Sequence, residues 1–198
     1  MLKKVFFLTL TLIMFMIVPI GNAIEIDGIK IPDSLMAGKT NLILNGAGVR
    51  TKLLIKLYIS GLYLMQKNHD PKKIIEADEP MAIRLHIISS MITGKKMGEA
   101  TKEGFFRVTR GNIEPIKPEI EKLISVFKDR INENDIYDFI YKPGMGVEVY
   151  KNHKKHSLIN GLPFKKALFG IWLCDNPAQK SLKREMLGTV GGVTVKGE

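Results

Sequence analysis

The spacing of apolar residues along this chain changes from period two to period 3.6 and back, and this order constrains the fold more than any other feature. Alternation with period two runs through IEIDGIKIPD and MAIRLHII, as in strands with one buried face. In TGKKMGEATKEGFFRVTR the apolar residues recur every three to five positions, which is typical of an amphipathic helix. Strands, helices, strands and helices follow one another. This order predicts an α+β domain with a large, mainly antiparallel sheet and helices on one face.

Turn motifs set the predicted boundaries of the strands. Asp27-Gly28 predicts a hairpin, and Asn45-Gly46 predicts a turn between a short strand at 41–44 and a long strand at 51–64. Pro143-Gly144 predicts a turn between two later strands. Helices are predicted at 71–77, after a cap at Thr93, from 116 or 118 to 127, at 163–173 and at 179–187.

The first 23 residues have the pattern of a secretory signal peptide. They combine two lysines, an apolar run over 5–18 and a small-residue ending at Ala23. A membrane anchor is the alternative, but the apolar run is shorter than the roughly 20 residues that a bilayer-spanning helix needs. The sequence therefore predicts cleavage after Ala23, a domain at 24–188, a flexible glycine-rich tail at 189–198 and a periplasmic or secreted protein.

The charge of the chain favours anionic neighbours. The formal net charge is +10, and loss of Lys3 and Lys4 with the signal peptide lowers it by two, to +8. This excess of positive charge suits peripheral contact with an anionic envelope surface. Because export is predicted, nucleic acid is not expected as a partner. The single Cys174 excludes an internal disulfide and a thiolate metal cluster. The histidines lack metal-ligand spacing, so neither a metal nor another cofactor is predicted.

One arginine carries the clearest chemical signal. Arg50 precedes an apolar run that contains Tyr58 and Tyr63, in LNGAGVRTKLLIKLYISGLYL. In a strand without a bulge, Arg50 and Tyr58 share one face and Tyr63 points the other way. A guanidinium and a phenol on one face suit a carboxylate or an enolate. The alternative is a surface arginine that pairs with any nearby acid.

The same stretch resembles the chalcone isomerase-like family. GAGVR and KLYISGLYL are similar to that family's glycine-x-glycine-x-arginine turn and the strand that follows it. The segments FIYKPGMGVEVYKN, ALFGIWLCDNP and SLKREMLG resemble the closing segments of its exported bacterial branch. The resemblance implies an open-faced β-sandwich, in which a large antiparallel sheet lies under a layer of helices.

The resemblance also implies that the family's catalytic set is largely missing. Only its arginine has a clear counterpart, Arg50, and Tyr58 takes the place of the threonine that polarises the ketone. The catalytic tyrosine and asparagine fall near Met97 and Gly104. The second threonine falls at about Gly170 or Ile171. No catalytic residue is therefore predicted.

The remaining residues resemble the family's fatty-acid-binding members, in which an arginine and a tyrosine hold the carboxylate and a cleft between sheet and helices holds the acyl chain. This implies an exported, non-catalytic binder of a fatty acid or similar amphiphile, with Arg50 and Tyr58 as ligand contacts and Tyr63 as a further candidate. Two alternatives stay open: an isomerase or lyase that acts through an enolate, with Lys56 or His86 as base, and an envelope structural or interaction protein without a ligand. The candidate cleft-lining residues are Met97, Phe105, Phe106, Phe164, Leu168 and Trp172.

Overall fold

A seven-stranded antiparallel sheet, with its strands in sequence order, forms the centre of the computed structural model, which describes residues 24–189. The predicted signal peptide and the tail beyond residue 189 lie outside the described residues. The predicted Asp27-Gly28 hairpin is confirmed, and it forms a separate two-stranded sheet. The strands are β1 (Ile24–Ile26), β2 (Ile29–Ile31), β3 (Ser34–Ala37), β4 (Thr40–Lys52), β5 (Ile55–Leu64), β6 (Met81–Ile87), β7 (Ile136–Lys142), β8 (Gly146–Lys151) and β9 (Lys154–Ile159).

Helices cover one face of this sheet, as predicted, and give the α+β open-faced β-sandwich. Thr93 caps the longest helix by accepting a hydrogen bond from the Lys96 amide at 3.3 Å. None of the helices within residues 24–189 is long and apolar enough to cross a bilayer. The helices are α1 (Pro71–Glu76), α2 (Gly94–Val108), a 3₁₀ turn (Glu114–Ile116), α3 (Lys117–Val126), α4 (Leu162–Leu173) and α5 (Lys180–Met186).

The opposite face of the sheet is partly covered by the β1–β2 hairpin. Ile26 and Ile31 of the hairpin belong to a smaller apolar cluster with Ile59, Tyr63 and Ala82 of the sheet. Beyond this cluster the face carries polar residues, among them Arg84, Asp138 and Glu148. The two faces therefore differ in chemistry: the helix side is mainly apolar, and the hairpin side is mixed.

The predicted turn at Asn45-Gly46 is wrong, and so is the single strand at 51–64. β4 continues through Asn45 with a bulge, since the pairing with β5 shifts between Leu44 and Gly46. The Asn45 side chain is buried, donates to the carbonyl oxygens of Asn68 at 2.9 Å and Met186 at 3.0 Å, and accepts from the Asn68 amide at 2.8 Å. Its hydrogen bonds tie the strand to distant segments, and tertiary contacts override the local turn preference.

Gly46 lets α5 lie directly on β4. A Cβ atom at Gly46 would stand 2.2 Å from the carbonyl oxygen of Glu185 and 2.8 Å from that of Met186. One at Gly48 would overlap the Glu185 side chain. This close approach places the start of α5 over the end of β4, where Arg50 lies.

The actual turn between β4 and β5 is at Leu53-Leu54. Lys52 pairs with Ile55, so the loop has two residues, and both have positive φ, 50° and 67°. This is the backbone of a type I′ turn, in which Asn and Gly are the preferred residues. A second turn absent from the sequence predictions, Asn152-His153, has nearly the same φ values, 50° and 66°.

Glu148 on the hairpin side makes stability depend on acid pH. Burial raises the pKa of its carboxyl, but hydrogen bonds from Lys142, Lys155 and Tyr150 outweigh burial and lower the pKa to about 2 from 4.5. Because the pKa is depressed in the folded state, this stabilisation is present above about pH 4.5 and is lost as the pH falls toward 2.

We expect the difference in unfolding free energy between wild type and Glu148→Gln to shrink by about 3 kcal/mol between pH 5 and pH 2. Urea unfolding at stepped pH measures this difference. A difference that stays constant over that range would contradict the role of the Glu148 carboxylate.

Candidate functional site

Arg50 and Tyr58 lie next to each other on adjacent strands. They are direct partners in the pairing of β4 with β5. The pairing shifts between Arg50 and Thr51, so Leu57 is an extra residue in β5. As a result Lys56, before the bulge, contacts the β1–β2 hairpin on the other face of the sheet. Tyr58 belongs to the helix-side core, so the arginine–phenol pair lies beneath the helices.

Gln179, just before α5, fixes the position of Arg50. Its Oε1 accepts from the Thr51 amide at 2.8 Å and from Arg50 Nη1 at 3.1 Å, and its Nε2 donates to the Val49 carbonyl at 3.2 Å. Nη1 also donates to the Thr51 carbonyl at 3.1 Å. These acceptors are neutral, and within residues 24–189 no carboxylate lies within 4.0 Å of the guanidinium. Arg50 is half-buried, so its charge is held in place without an anionic partner from the described chain.

Tyr58 is buried and keeps a proton to donate. Trp172 Nε1 donates to the Tyr58 hydroxyl at 3.1 Å, so the hydroxyl oxygen acts as the acceptor in that bond. Burial raises the pKa of Tyr58, and the hydrogen bond from Trp172 and the charge of Arg50 only partly oppose this shift. The phenol therefore stays neutral at physiological pH, and its O–H is available as a donor beside the Arg50 guanidinium.

α2 and α4 pack closely above this pair. A Cβ at Gly104 would be 3.0 Å from the Ile171 side chain, and one at Gly170 would be 2.8 Å from Val108. Gly104, Gly170 and Ile171 stand near the positions that the resemblance assigns to the family's asparagine and second threonine. In this chain these residues form a contact between two helices.

Most of the candidate lining residues are buried in the helix-side core. Phe105 and Phe164 stack with ring centroids 5.6 Å apart, and Trp172 lies 6.2 Å from Phe139. Met97 and Leu168 are also buried. Phe106 does not line a cleft, because 59% of its surface is exposed. The space between sheet and helices beside Tyr58 is thus occupied by packed side chains.

Two cavities of the described chain lie away from Arg50. The larger, of about 290 Å³, is a surface groove between α2 and α3 that Lys95, Lys102 and Lys128 border. The smaller, of about 30 Å³, lies between the end of β5 and α1. Neither cavity adjoins the arginine–phenol pair.

Tyr63 does not join Arg50. It belongs to the apolar cluster under the β1–β2 hairpin, on the opposite face of the sheet, and its hydroxyl donates to the Pro32 carbonyl at 3.0 Å. It is fully buried there. The structure therefore places Tyr63 apart from Arg50 and brings Arg50 and Tyr58 together.

The bases considered for an enolate mechanism lie away from this pair. Lys56 Nζ is 2.6 Å from Asp27 of the β1–β2 hairpin. His86 pairs across strands with Ile59, which faces the hairpin side, and its Nε2 is 3.3 Å from Asn134 Oδ1. Within residues 24–189 no group of three or more His, Cys, Asp or Glu residues is placed to hold a metal ion.

Sequence reasoning missed Gln179 and the polar role of Trp172. Gln179 acts through contacts that join residues about 130 positions apart, and no local pattern signals such contacts. Trp172 was expected only as apolar lining, although an indole N–H that becomes buried generally requires an acceptor. That rule was the one available signal for its bond to Tyr58.

The fold and the site define an α+β open-faced β-sandwich with a basic and phenolic pair on its helix side. A model of the family described as "Chalcone isomerase-like" matches residues 23–188. The chain belongs to the chalcone isomerase-like family.

Solved structures agree on the fold. The chain is similar to a fatty-acid binding protein of Arabidopsis thaliana, with a TM-score of 0.65 and 19% sequence identity over 82% of this chain and 93% of that one. At this identity the likeness establishes the fold. A search of curated proteins gave no match.

Proposed function

We propose that this chain is an exported, non-catalytic binder of a fatty acid or a similar carboxylate-bearing amphiphile, with the carboxylate held by Arg50 and Tyr58. One observation carries the proposal: a half-buried guanidinium stands beside a neutral phenol and has no carboxylate within 4.0 Å among the described residues. A cation that is withdrawn from water generally requires a compensating charge, and a ligand seated over Arg50 would withdraw it further. A ligand carboxylate supplies that charge.

The geometry suits a carboxylate better than a neutral head group. The guanidinium presents a planar fork of N–H donors, of which Nη1 is engaged with Gln179 and Thr51. The phenol adds an O–H donor on the neighbouring strand. Hydrogen bonds to an ionised acceptor are shorter and stronger than neutral ones, and the buried surroundings of Tyr58 reduce competition from water.

The acyl chain would lie among the apolar side chains of the helix-side core. Phe105, Phe164, Leu168 and Trp172 are contributed by α2 and α4, whose contact closes over Tyr58. Entry of an acyl chain requires these side chains to move apart, so binding should be coupled to a displacement of α2 against α4. The fatty-acid binding protein with the same fold supports this choice of ligand class.

A second candidate function is favoured by the packed interior itself. A helix-side core filled by aromatic and aliphatic side chains suits an envelope protein that acts through its surface and holds no ligand. For the enolate-type enzyme no comparable observation exists, since Lys56 and His86 lie on the other face of the sheet.

Native mass spectrometry of the protein recovered from its own host tests the proposal and the predicted export together. We expect a polypeptide mass that starts at Ile24 and an additional mass that corresponds to a carboxylic amphiphile, released on denaturation. A chain that retains Met1 would contradict export. A mature chain with no added mass, which also fails to bind long-chain acids added in vitro, would favour the ligand-free envelope protein.

A further inference from the structure

The turn between β4 and β5 exposes apolar side chains to an unusual degree. We name residues 52–56 the β4–β5 tip. Leu53 is 87% exposed, Leu54 is 97% exposed, and Ile55 is also exposed. Leucines of soluble proteins are usually among the buried residues, so two neighbouring leucines at a protruding turn need an explanation.

Turn chemistry does not explain these leucines. Both have positive φ, which is uncommon for bulky side chains. Within residues 24–189, two other two-residue hairpin turns have positive φ at both positions, and these use Asp27-Gly28 and Asn152-His153, residue types that tolerate this backbone better. At the β4–β5 tip, apolar residues occupy the two positions where Asn and Gly are preferred, and this choice costs the turn conformational stability. A function of the exposed side chains accounts for that cost.

The sequence around the tip is basic, although Glu133 before β7 lies at the same end of the sheet. Residues 34–69 contain no Asp or Glu, and Lys52 and Lys56 flank the apolar residues. Lys56 pairs with Asp27, whereas Lys52 belongs to none of the ion pairs of the described residues. The order of pairing places the β8–β9 turn, with the exposed Lys154, at the same end of the sheet.

We propose that the β4–β5 tip is a membrane-docking element that inserts Leu53 and Leu54 into an anionic lipid surface. A convex tip of two apolar residues fits a fluid bilayer, which closes around it, whereas a protein partner would need a matching groove. Lysines at the rim of the inserted residues suit anionic headgroups. This docking would bring Arg50, three residues or about 10 Å along the strand from Leu53, close to the headgroup region.

Cosedimentation of the mature chain (24–198) with lipid vesicles tests this proposal. We expect the wild-type chain to bind vesicles of phosphatidylglycerol and phosphatidylethanolamine at least tenfold more strongly than vesicles of phosphatidylcholine alone. The double variant Leu53→Asn/Leu54→Gly should reduce this binding at least tenfold, because the inserted apolar surface is lost. Lys52→Gln should weaken binding to the anionic vesicles by about fivefold and leave binding to phosphatidylcholine vesicles unchanged.

The double variant is designed to keep the fold. Asn-Gly is the preferred pair for this turn, so the melting temperature of the double variant should equal or exceed that of wild type. Met145→Ser removes an exposed apolar side chain at the β7–β8 turn, at the opposite end of the sheet, and should bind vesicles as wild type does. Equal binding by wild type and the double variant, or no vesicle binding by wild type, overturns the proposal. Either result is the one expected if a protein groove covers the tip.

Discussion

Replacement of Asp138 by alanine is expected to lower the free energy of unfolding by about 3–5 kcal/mol. Arg84 and Asp138 form a bidentate ion pair: Arg84 Nε lies 2.6 Å from Asp138 Oδ1, and Arg84 Nη2 lies 2.8 Å from Asp138 Oδ2. Both side chains are buried, at 10% exposure for Arg84 and 5% for Asp138. Loss of the carboxylate would leave a guanidinium in a poorly solvated position beside the apolar cluster under the hairpin.

Urea unfolding with two matched controls measures this effect. Glu114→Ala removes one partner of the exposed Lys117–Glu114 pair and should cost less than about 1 kcal/mol. Arg84→Met/Asp138→Ala removes both buried charges and should be less destabilised than Asp138→Ala alone. If Asp138→Ala costs no more than Glu114→Ala, the Arg84–Asp138 pair is not an important support of the hairpin side.

Replacement of Arg50 by alanine is expected to weaken binding of a long-chain fatty acid by about tenfold to a hundredfold. Hydrogen bonds to a charged group contribute about 1.5–3 kcal/mol each, and 1.4 kcal/mol corresponds to a factor of ten. Arg50→Lys should restore only part of the affinity, because an ammonium group cannot reproduce the planar fork. Tyr58→Phe should cost less, since one neutral donor is lost and the ring remains.

Trp172 offers a direct optical readout for these titrations. It is the only tryptophan of the chain, and its indole donates to Tyr58 in the proposed head-group site. Lys102→Ala removes an exposed positive charge on α2 and controls for general electrostatic attraction. If Lys102→Ala weakens binding as much as Arg50→Ala does, the attraction is a property of the basic surface and not of the site.

Periodicity was sufficient for the layered architecture but not for the β4–β5 turn. The pattern of strands and helices predicted the helix layer, and Asp27-Gly28 and Pro143-Gly144 marked real turns. Asn45-Gly46 has a strong turn signature, yet its asparagine is used in tertiary hydrogen bonds and its glycine accommodates α5. Leu53-Leu54 forms the turn although neither residue favours it.

The proximity of Arg50 and Tyr58 was predicted for an incorrect reason. Sequence analysis placed them on one face of a single extended segment, whereas they are partners on two antiparallel strands. The parity argument did separate Tyr63 correctly, because Tyr58 and Tyr63 lie on the same strand at an odd spacing with no bulge between them. Gln179 and the packing of α2 on α4 depend on contacts distant in sequence, which one sequence cannot reveal.

The affinity of a fatty acid relative to its matching alcohol, compared between wild type and Arg50→Ala, tests the head-group role most directly. The two ligands share one acyl chain and differ only in the charge of the head, so their ratio cancels the contribution of the apolar core. We predict that wild type prefers the acid by about tenfold to a hundredfold, and that Arg50→Ala binds acid and alcohol with nearly equal affinity. Equal binding of acid and alcohol by wild type, or an unchanged preference in Arg50→Ala, would contradict the assignment of Arg50 to the carboxylate.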